Sequence, residues 1–484
     1  MRPLGEHPNI DLFSLPSTRG RKVSSSNNWN EIVSKLAVIS LCLATLAVII
    51  YANAESSIAI FLSYLTFGLL GSSLVWKTGV IPMRIFVAVY TCAAIACVVL
   101  AVVFTYYYGV PYWKGGSDEL HYEQFGTQFG RTFGIFDYGV IRGGIVNDWH
   151  NSVGYIYLLG LLVKFGDLTG GFHTLVPRLF NACALGLLSV VLYHVGIRLK
   201  LAQSTAVISS LGAGFLPLMM WVSAQSLRDT FQALILCTLV YLWLPDSKKN
   251  LKYSIGFTLL LSFILIIPVW EIRKMQAFVI FLIIGSSVLL NKRSYNIIRL
   301  LFVTIPIASI AGLFIIRHYS DLSSNVLGAI EQTTGYTDMR TYSDVGGGLS
   351  SFVFSSPLFP IGWILRSVYA LVSPIPVDYS TVYTSWLSLG TIFHIFFLTF
   401  LWGGIRGSIH DPGWRLIILA FLLFFAGMAM FTFTIRHMVQ FLPFAVLLSA
   451  HGYEKYRGDP REIWFVTGAS CGALAFLYLL LKVI

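Results

Sequence analysis

Apolar and polar positions alternate along this chain in long blocks, not with the period of a strand or an amphipathic helix. Apolar runs fall at about 36–52, 58–76, 84–106, 174–198, 203–222, 230–244, 253–270, 277–290, 297–316, 382–403, 415–434, 437–450 and 463–483. A helix crossing the hydrocarbon core of a bilayer needs about 20 mostly apolar residues, so these thirteen runs predict an all-α polytopic membrane protein. Residues 1–35 are polar and precede the first run by too far for a cleaved signal peptide; they read as a disordered cytoplasmic tail before a single transmembrane domain over 36–484. Two polar or broken segments interrupt the series and predict large extracytoplasmic loops, 107–173 and 317–381. Within the first, the apolar part of 151–173 is too short to span and ends in Lys164 and Asp167, as an interfacial helix would. Within the second, 346–380 is apolar but broken by Pro357, Pro360, Pro374, Pro376 and Arg366, which suits a surface-lying or re-entrant segment.

The charges orient the spans. Lys77/Arg84, Arg198/Lys200, Lys248/Lys249/Lys252, Lys292/Arg293/Arg299, Arg406/Arg415 and Lys455/Arg457/Arg461 occupy every second turn. Cytoplasmic loops collect Lys and Arg, so these turns face inward and the two long loops face outward. The same bias accounts for the net charge of +11 without a nucleic-acid partner. Charged residues make up only 11% of the chain, against roughly 25% in a soluble domain, and mean hydropathy is +0.74. The six cysteines all lie in apolar runs, which suits core packing and excludes a disulfide framework or a Cys-based metal site. The triplet Gly346–Gly348 lacks the strand and helix start of a phosphate loop.

Against this scarcity of charge, residues 107–150 stand apart. They gather Asp118, Glu119, Glu123, Asp137 and Asp148 with His121 and His150 in one glycine-rich outer loop. Carboxylates concentrated at the ends of spans read as the floor of an active site at a membrane surface.

The order of features from 107 to 245 resembles the integral-membrane GT-C glycosyltransferases, in the branch of protein O-mannosyltransferases and the lipid A aminoarabinose transferase. DELHY (Asp118, Glu119, Tyr122) resembles the acidic DExxY-like pattern of that family's first large outer loop. YIYLLGLLVKFGD resembles the apolar helix that follows, PRLFNACALGLLSVVLYHVGIRL with Arg178 the next span, and GFLPLMMWVSAQSLRDTFQALIL with Pro217, Ser226 and Asp229 the span ending in proline, a serine-rich turn and an aspartate. The resemblance implies a GT-C-like fold and inverting transfer of a sugar from a polyprenyl-phosphate donor to a glycan, lipid or protein acceptor. The setting would be the outer face of a bacterial inner membrane.

That chemistry asks for a base at the acceptor and for Arg, Lys, a helix N-terminus or a metal at the departing phosphate. Asp118 is the candidate base, Glu119 its neighbour, and Tyr122, one helical turn on, a residue to orient it; solvation and packing are the plainer alternatives. Arg228 and Asp229 open a span as a site pair or as a local cap. Arg273 and Lys274 beside Glu271 read as phosphate binders or as an interfacial cluster. Arg436 and His437 sit where two spans meet the outer surface, and an arginine there needs a partner or water. His121, His150 and His318 are weak metal candidates, so no metal ligand is assigned, and a divalent cation (Mg or Mn) is the one cofactor the reaction would admit. Two other readings stay open. An O-antigen or exopolysaccharide polymerase also has many spans and large outer loops, but leans on loop arginines. A polysaccharide or lipid transporter would carry intramembrane charges and internal repeats, and no repeat is found.

Overall fold

The computed structural model describes residues 25–116, 118–139, 152–244, 251–290, 400–431 and 435–456, with isolated positions at 367, 461, 465, 468–469 and 472. The span at 297–316, the loop 317–381, most of the spans 382–403 and 463–483, and His150 and His318 lie outside the described residues. Every regular element among the described residues is helical.

In chain order these are α1 (Ser25–Ala54), α2 (Ile58–Val75), α3 (Val80–Tyr108), α4 (Asp118–Thr132), α5 (Val153–Leu168), α6 (Leu175–Arg198), α7 (Gln203–Phe215), α8 (Pro217–Ser223), α9 (Asp229–Trp243), α10 (Leu251–Ile272), α11 (Lys274–Leu290) and α12 (Pro412–Phe431). A 3₁₀ turn over Ile435–Gln440 leads into α13 (Leu442–Tyr456). Helix α1 begins at Ser25, so part of the segment expected to be a disordered tail is helical.

Among the described residues, four helical stretches are long and apolar enough to cross a membrane: Glu31–Ala54, Ile58–Thr78, Val80–Tyr108 and Leu175–Arg198. Their surroundings differ. The apolar window of Leu175–Arg198 is 83% buried in the protein and that of Glu31–Ala54 only 28%, which makes α6 the central helix and α1 peripheral. Leu41, Leu43, Leu46 and Ile49 of α1 are exposed, as a surface solvated by acyl chains allows. Apolar helices of 10 to 17 residues follow at Asp229–Trp243, Phe257–Ile272, Gln276–Ser287 and Pro412–Gly427.

The single span expected over 203–222 is instead two helices, α7 and α8, bent by 54°. Pro217 explains the break. It has no N–H to continue the α-helical ladder, and its ring forces Leu216 out of the helical region, where that residue has φ −53° and ψ 127°. Apolar length alone had hidden this.

Within residues 107–173 α4 packs against α5 through small residues. A Cβ on Gly160 would lie 1.8 Å from the Phe129 ring, and one on Gly130 would lie 2.7 Å from the Gly160 carbonyl oxygen, so the backbones approach as only glycine permits. Lys164 Nζ donates to the Gly130 carbonyl at 2.6 Å, and Arg131 pairs with Asp167 at 3.1 Å. The helix expected within 151–173 is therefore present as α5, docked on α4.

Contacts between turns fall into two groups at opposite ends of α6. Near its start, His173 lies 3.8 Å from Glu55, and Tyr138 donates to Glu271 at 2.6 Å. Near its end, Arg198 donates to the Tyr241 carbonyl at 3.0 Å, Glu454 accepts from the Ala202 N–H at 3.2 Å, and Lys455 donates to Gly407 at 3.1 Å.

Candidate functional site

The site is built from α4, from the first turns of α6 and α9, and from the short connections between helices at that end of the bundle. Helix α6 brings Arg178, which is fully buried. Its Nη2 donates to the Pro111 carbonyl and to Glu119 Oε2 at 3.3 Å, and its guanidinium lies 5.6 Å from the Tyr112 ring centre. Its Nε and Nη1 have no hydrogen-bond partner among the described residues.

Helix α4 supplies two carboxylates on one face, Glu119 and Glu123, at the i, i+4 spacing that stacks side chains one turn apart. Both are 4% exposed. Glu123 is saturated, accepting from Tyr112 and Thr174 hydroxyls at 2.7 Å each and from the Ser226 hydroxyl. It knots four segments together. Glu119 is held more loosely, by Arg178 and by the Ser226 N–H at 3.3 Å. Burial pushes the Glu119 carboxyl up to about 7, with Arg178 opposing and Glu123 adding to the shift. Burial also raises Glu123, against Arg178 and its three hydroxyl donors.

The turn between α8 and α9 is held from below. Asn181 Nδ2 donates to the Gln225 and Leu227 carbonyls at 2.8 and 2.7 Å, which fixes Ser226 toward α4 and Arg228 toward α5. Arg228, 8% exposed, bonds Ser152 Oγ and the Ile272 carbonyl (3.1 Å), and stands 5.9 Å over the Tyr122 ring. Next to it Asp229, 1% exposed, has Oδ1 without a hydrogen-bond partner among the described residues.

From the far end of the sequence the 3₁₀ turn adds Arg436 and His437. Arg436 is ion-paired with Asp118, side chains 22% and 30% exposed. His437 Nε2 and Arg273 Nη2 are 2.7 Å apart. Burial pushes Arg273 down to about 10; Arg228 and Arg436 add to that and Asp229 opposes it. At Arg436 burial also works downward, but the Asp229 and Asp118 carboxylates outweigh it and hold the guanidinium above its ordinary value.

Of the residues expected from sequence, Asp118, Glu119, Tyr122, Arg228, Asp229, Arg273, Arg436 and His437 thus come together. Lys274 is placed differently: its Nζ lies 5.9 Å over the Trp270 ring. Tyr122 was expected to orient Asp118. Its hydroxyl instead meets Ser152 Oγ at 3.2 Å and its ring packs edge-on against Tyr155, while Asp118 takes Arg436, whose charge is the stronger attraction. Glu123 is expected only as one of the carboxylates of the 107–150 loop, and Arg178 and Ser226 only as parts of the resembling spans; none of the three is expected in a particular role. A buried arginine at the start of a span was the signal available for Arg178; nothing local marks Glu123 as the saturated carboxylate and Glu119 as the loose one.

No three His, Cys, Asp or Glu side chains among the described residues are grouped as metal ligands would be, and His121 is exposed on α4. The gathered carboxylates face arginines.

The class defined by this fold and site is a helical membrane protein with a buried cluster of opposite charges at one end of its bundle. Comparison with protein-family models, with curated proteins and with solved structures finds no match.

Proposed function

We propose that the chain is a membrane glycosyltransferase, transferring a sugar from a polyprenyl-phosphate-linked donor to an acceptor hydroxyl or amine on a glycan, lipid or protein. The observation that carries the reading is one meeting point. Asp118–Glu119, Arg228–Asp229, Arg273 and Arg436–His437, far apart in sequence, converge where the apolar helices end.

The reaction needs these groups in this order. The acceptor's proton passes to Asp118, and the acceptor oxygen or nitrogen attacks the anomeric carbon from the face opposite the carrier. The bond from that carbon to the phosphate oxygen breaks, and the lipid phosphate leaves with the electron pair, inverting the configuration. Negative charge grows on the phosphate, and Arg228, Arg273 and Arg436 are preorganised to meet it in a site of low polarity. Asp118 is the more exposed carboxylate and the one an acceptor from solution reaches first. In this reading the site faces the periplasm or its equivalent from a bacterial inner membrane.

One observation favours a second reading, the saccharide polymerase: four arginines, Arg178, Arg228, Arg273 and Arg436, enclose the site. Product length separates the two, because a polymerase extends its own product and a transferase stops after one sugar. Native mass spectrometry of the purified protein tests both. A co-bound polyprenyl-phosphate sugar, discharged on adding acceptor, supports transfer; a protein that carries and discharges none sinks it. Repeating the transfer with a chelator decides whether Mg or Mn shares the phosphate's charge with the arginines.

A further inference from the structure

Behind the arginines, three segments run inward from the site and touch pairwise. Helix α9 meets α11 through Gln232, whose Nε2 donates to Gln276 Oε1. The turn before α11 meets the 3₁₀ turn through Arg273 and His437. Helix α9 packs directly on the 3₁₀ turn. Helices α9 and α11 are apolar by composition and the 3₁₀ turn half so, yet each segment carries a buried amide: Gln232 is fully buried, Gln276 6% exposed and Gln440 5% exposed. An amide in such a place costs free energy unless its hydrogen bonds are made.

Many of those bonds are not made. Asp229 Oδ1, Thr230 Oγ1, Gln232 Oε1, Arg436 Nε and Gln440 Nε2 are all buried and lack a hydrogen-bond partner among the described residues. The neighbouring buried groups are matched in part: Glu123 takes three donors and Asn181 gives its amide to two carbonyls, while Asn181 Oδ1 and Arg178 Nε and Nη1 also lack a partner among the described residues. Native structures leave few buried polar groups unsatisfied, and a cluster of them points to a group that is bound there in use. The unused capacity is mixed. Asp229 and Gln232, three residues apart on one face of α9, offer acceptors; Arg436 and Gln440 offer donors. A phosphate would use the donors alone. Sugar hydroxyls both donate and accept, and adjacent hydroxyls match an amide or a carboxylate in pairs.

We infer that Asp229, Thr230, Gln232, Gln276 and Gln440 form a subsite for the hydroxyls of the transferred sugar, directly inward of the arginines that hold the carrier phosphate. This deepens the glycosyltransferase reading and rests on it. The entrance is the Asp118–Arg436 pair, the most exposed part of the cluster. The subsite makes the protein choose the sugar, while the arginines bind any carrier.

The test separates these two layers. Detergent-purified protein is incubated with an equimolar mixture of undecaprenyl phosphate and the same carrier bearing glucose, mannose, galactose or arabinose, and the bound species are weighed by native mass spectrometry. The wild type should hold at least one glycosylated carrier over the bare one by about tenfold, the worth of one or two net hydrogen bonds. Gln440→Leu should bring that ratio close to one while total bound carrier stays the same. Thr230→Val, nearly identical in shape, should shift the ratio the same way by less, and it carries the test if Gln440→Leu fails to fold. A wild type that binds carriers without regard to the sugar overturns the subsite alone, and so does selectivity unchanged in both variants. A wild type that binds no carrier overturns the subsite and the glycosyltransferase reading together.

Discussion

At one end of the bundle Arg198 and Glu454 each close a helix terminus. Arg198 covers the Tyr241 and Leu244 carbonyls at the C-terminus of α9, and Glu454 accepts from the N–H just ahead of α7. At the opposite end Arg228 also reaches a helix-terminal carbonyl, that of Ile272, but Arg178 pairs with Glu119 and Arg436 with Asp118, and guanidinium nitrogens and a carboxylate oxygen lack partners among the described residues. Capping answers a need that the fold itself creates. Burying mutually paired charges with bonding capacity to spare does not, because desolvation costs about as much as the pairing returns. The contrast separates a structural use of charge from one that awaits a ligand.

The sharpest way to break this comparison is to show that the two ends face the same compartment. His121, exposed on α4, and Gln203, exposed at the start of α7, stand at the two ends. His121→Cys should react with an impermeant thiol reagent from outside intact cells, and Gln203→Cys only after the membrane is opened. Gly116 would be a poor choice, since its φ of +87° and the approach of Leu120 leave no room for a side chain. Labelling of both from one side would end the proposal.

A second pair of variants asks which end does chemistry. Asp118→Asn keeps the size of the side chain and removes its basicity, and should lower transfer by about 10²–10⁴-fold. Donor binding should survive. Arg198→Ala should leave turnover unchanged and lower thermal stability by about 1–2 kcal/mol, through two carbonyls left without their cation. The reverse pattern would put the site at the wrong end.

Much of this end was legible in sequence because charge is rare in the chain: Asp118, Arg228, Asp229, Arg273 and Arg436 each stand out against apolar neighbours. The long helices were legible for the same reason. What remained hidden were matters of tertiary distance. Glu119 and Glu123 look alike in DELHYE, and only the approach of Tyr112, Thr174 and Ser226 saturates one and spares the other. Tyr122 sits at the right spacing to touch Asp118, yet Arg436, more than three hundred residues away, takes that place. Pro217 was visible within the apolar run at 203–222, but the 54° bend it makes there is not written in apolar length.

The titration of Glu119 sharpens the contrast further. Its folded-state value near 7 lies above that of an unfolded glutamate, so the folded protein binds the extra proton and stability falls as pH rises from about 4.5 through 7. The loss approaches about 3 kcal/mol. Glu119→Gln should flatten the difference in unfolding temperature between pH 5 and pH 8. The same variant decides the identity of the base: if Glu119 is the base, wild-type transfer rises with pH through about 7 and the variant is inactive. If Asp118 is the base, Glu119→Gln retains transfer.

The smallest expected effect belongs to the capping end, at Glu454. Its carboxylate faces the Ala202 N–H at 3.2 Å, where the positive end of the α7 dipole begins. Glu454→Gln keeps an oxygen for that bond and removes only the charge. The loss is then the interaction of one charge with one helix terminus, about 0.5 kcal/mol at low ionic strength. Salt at molar concentration shortens the Debye length to about 3 Å and should erase the difference between variant and wild type. Unfolding temperature in detergent at two salt concentrations measures it. Transfer should not change at either one. If Glu454→Gln lowers turnover without lowering stability, charge at this end is coupled to the site, and the division between the two ends does not hold.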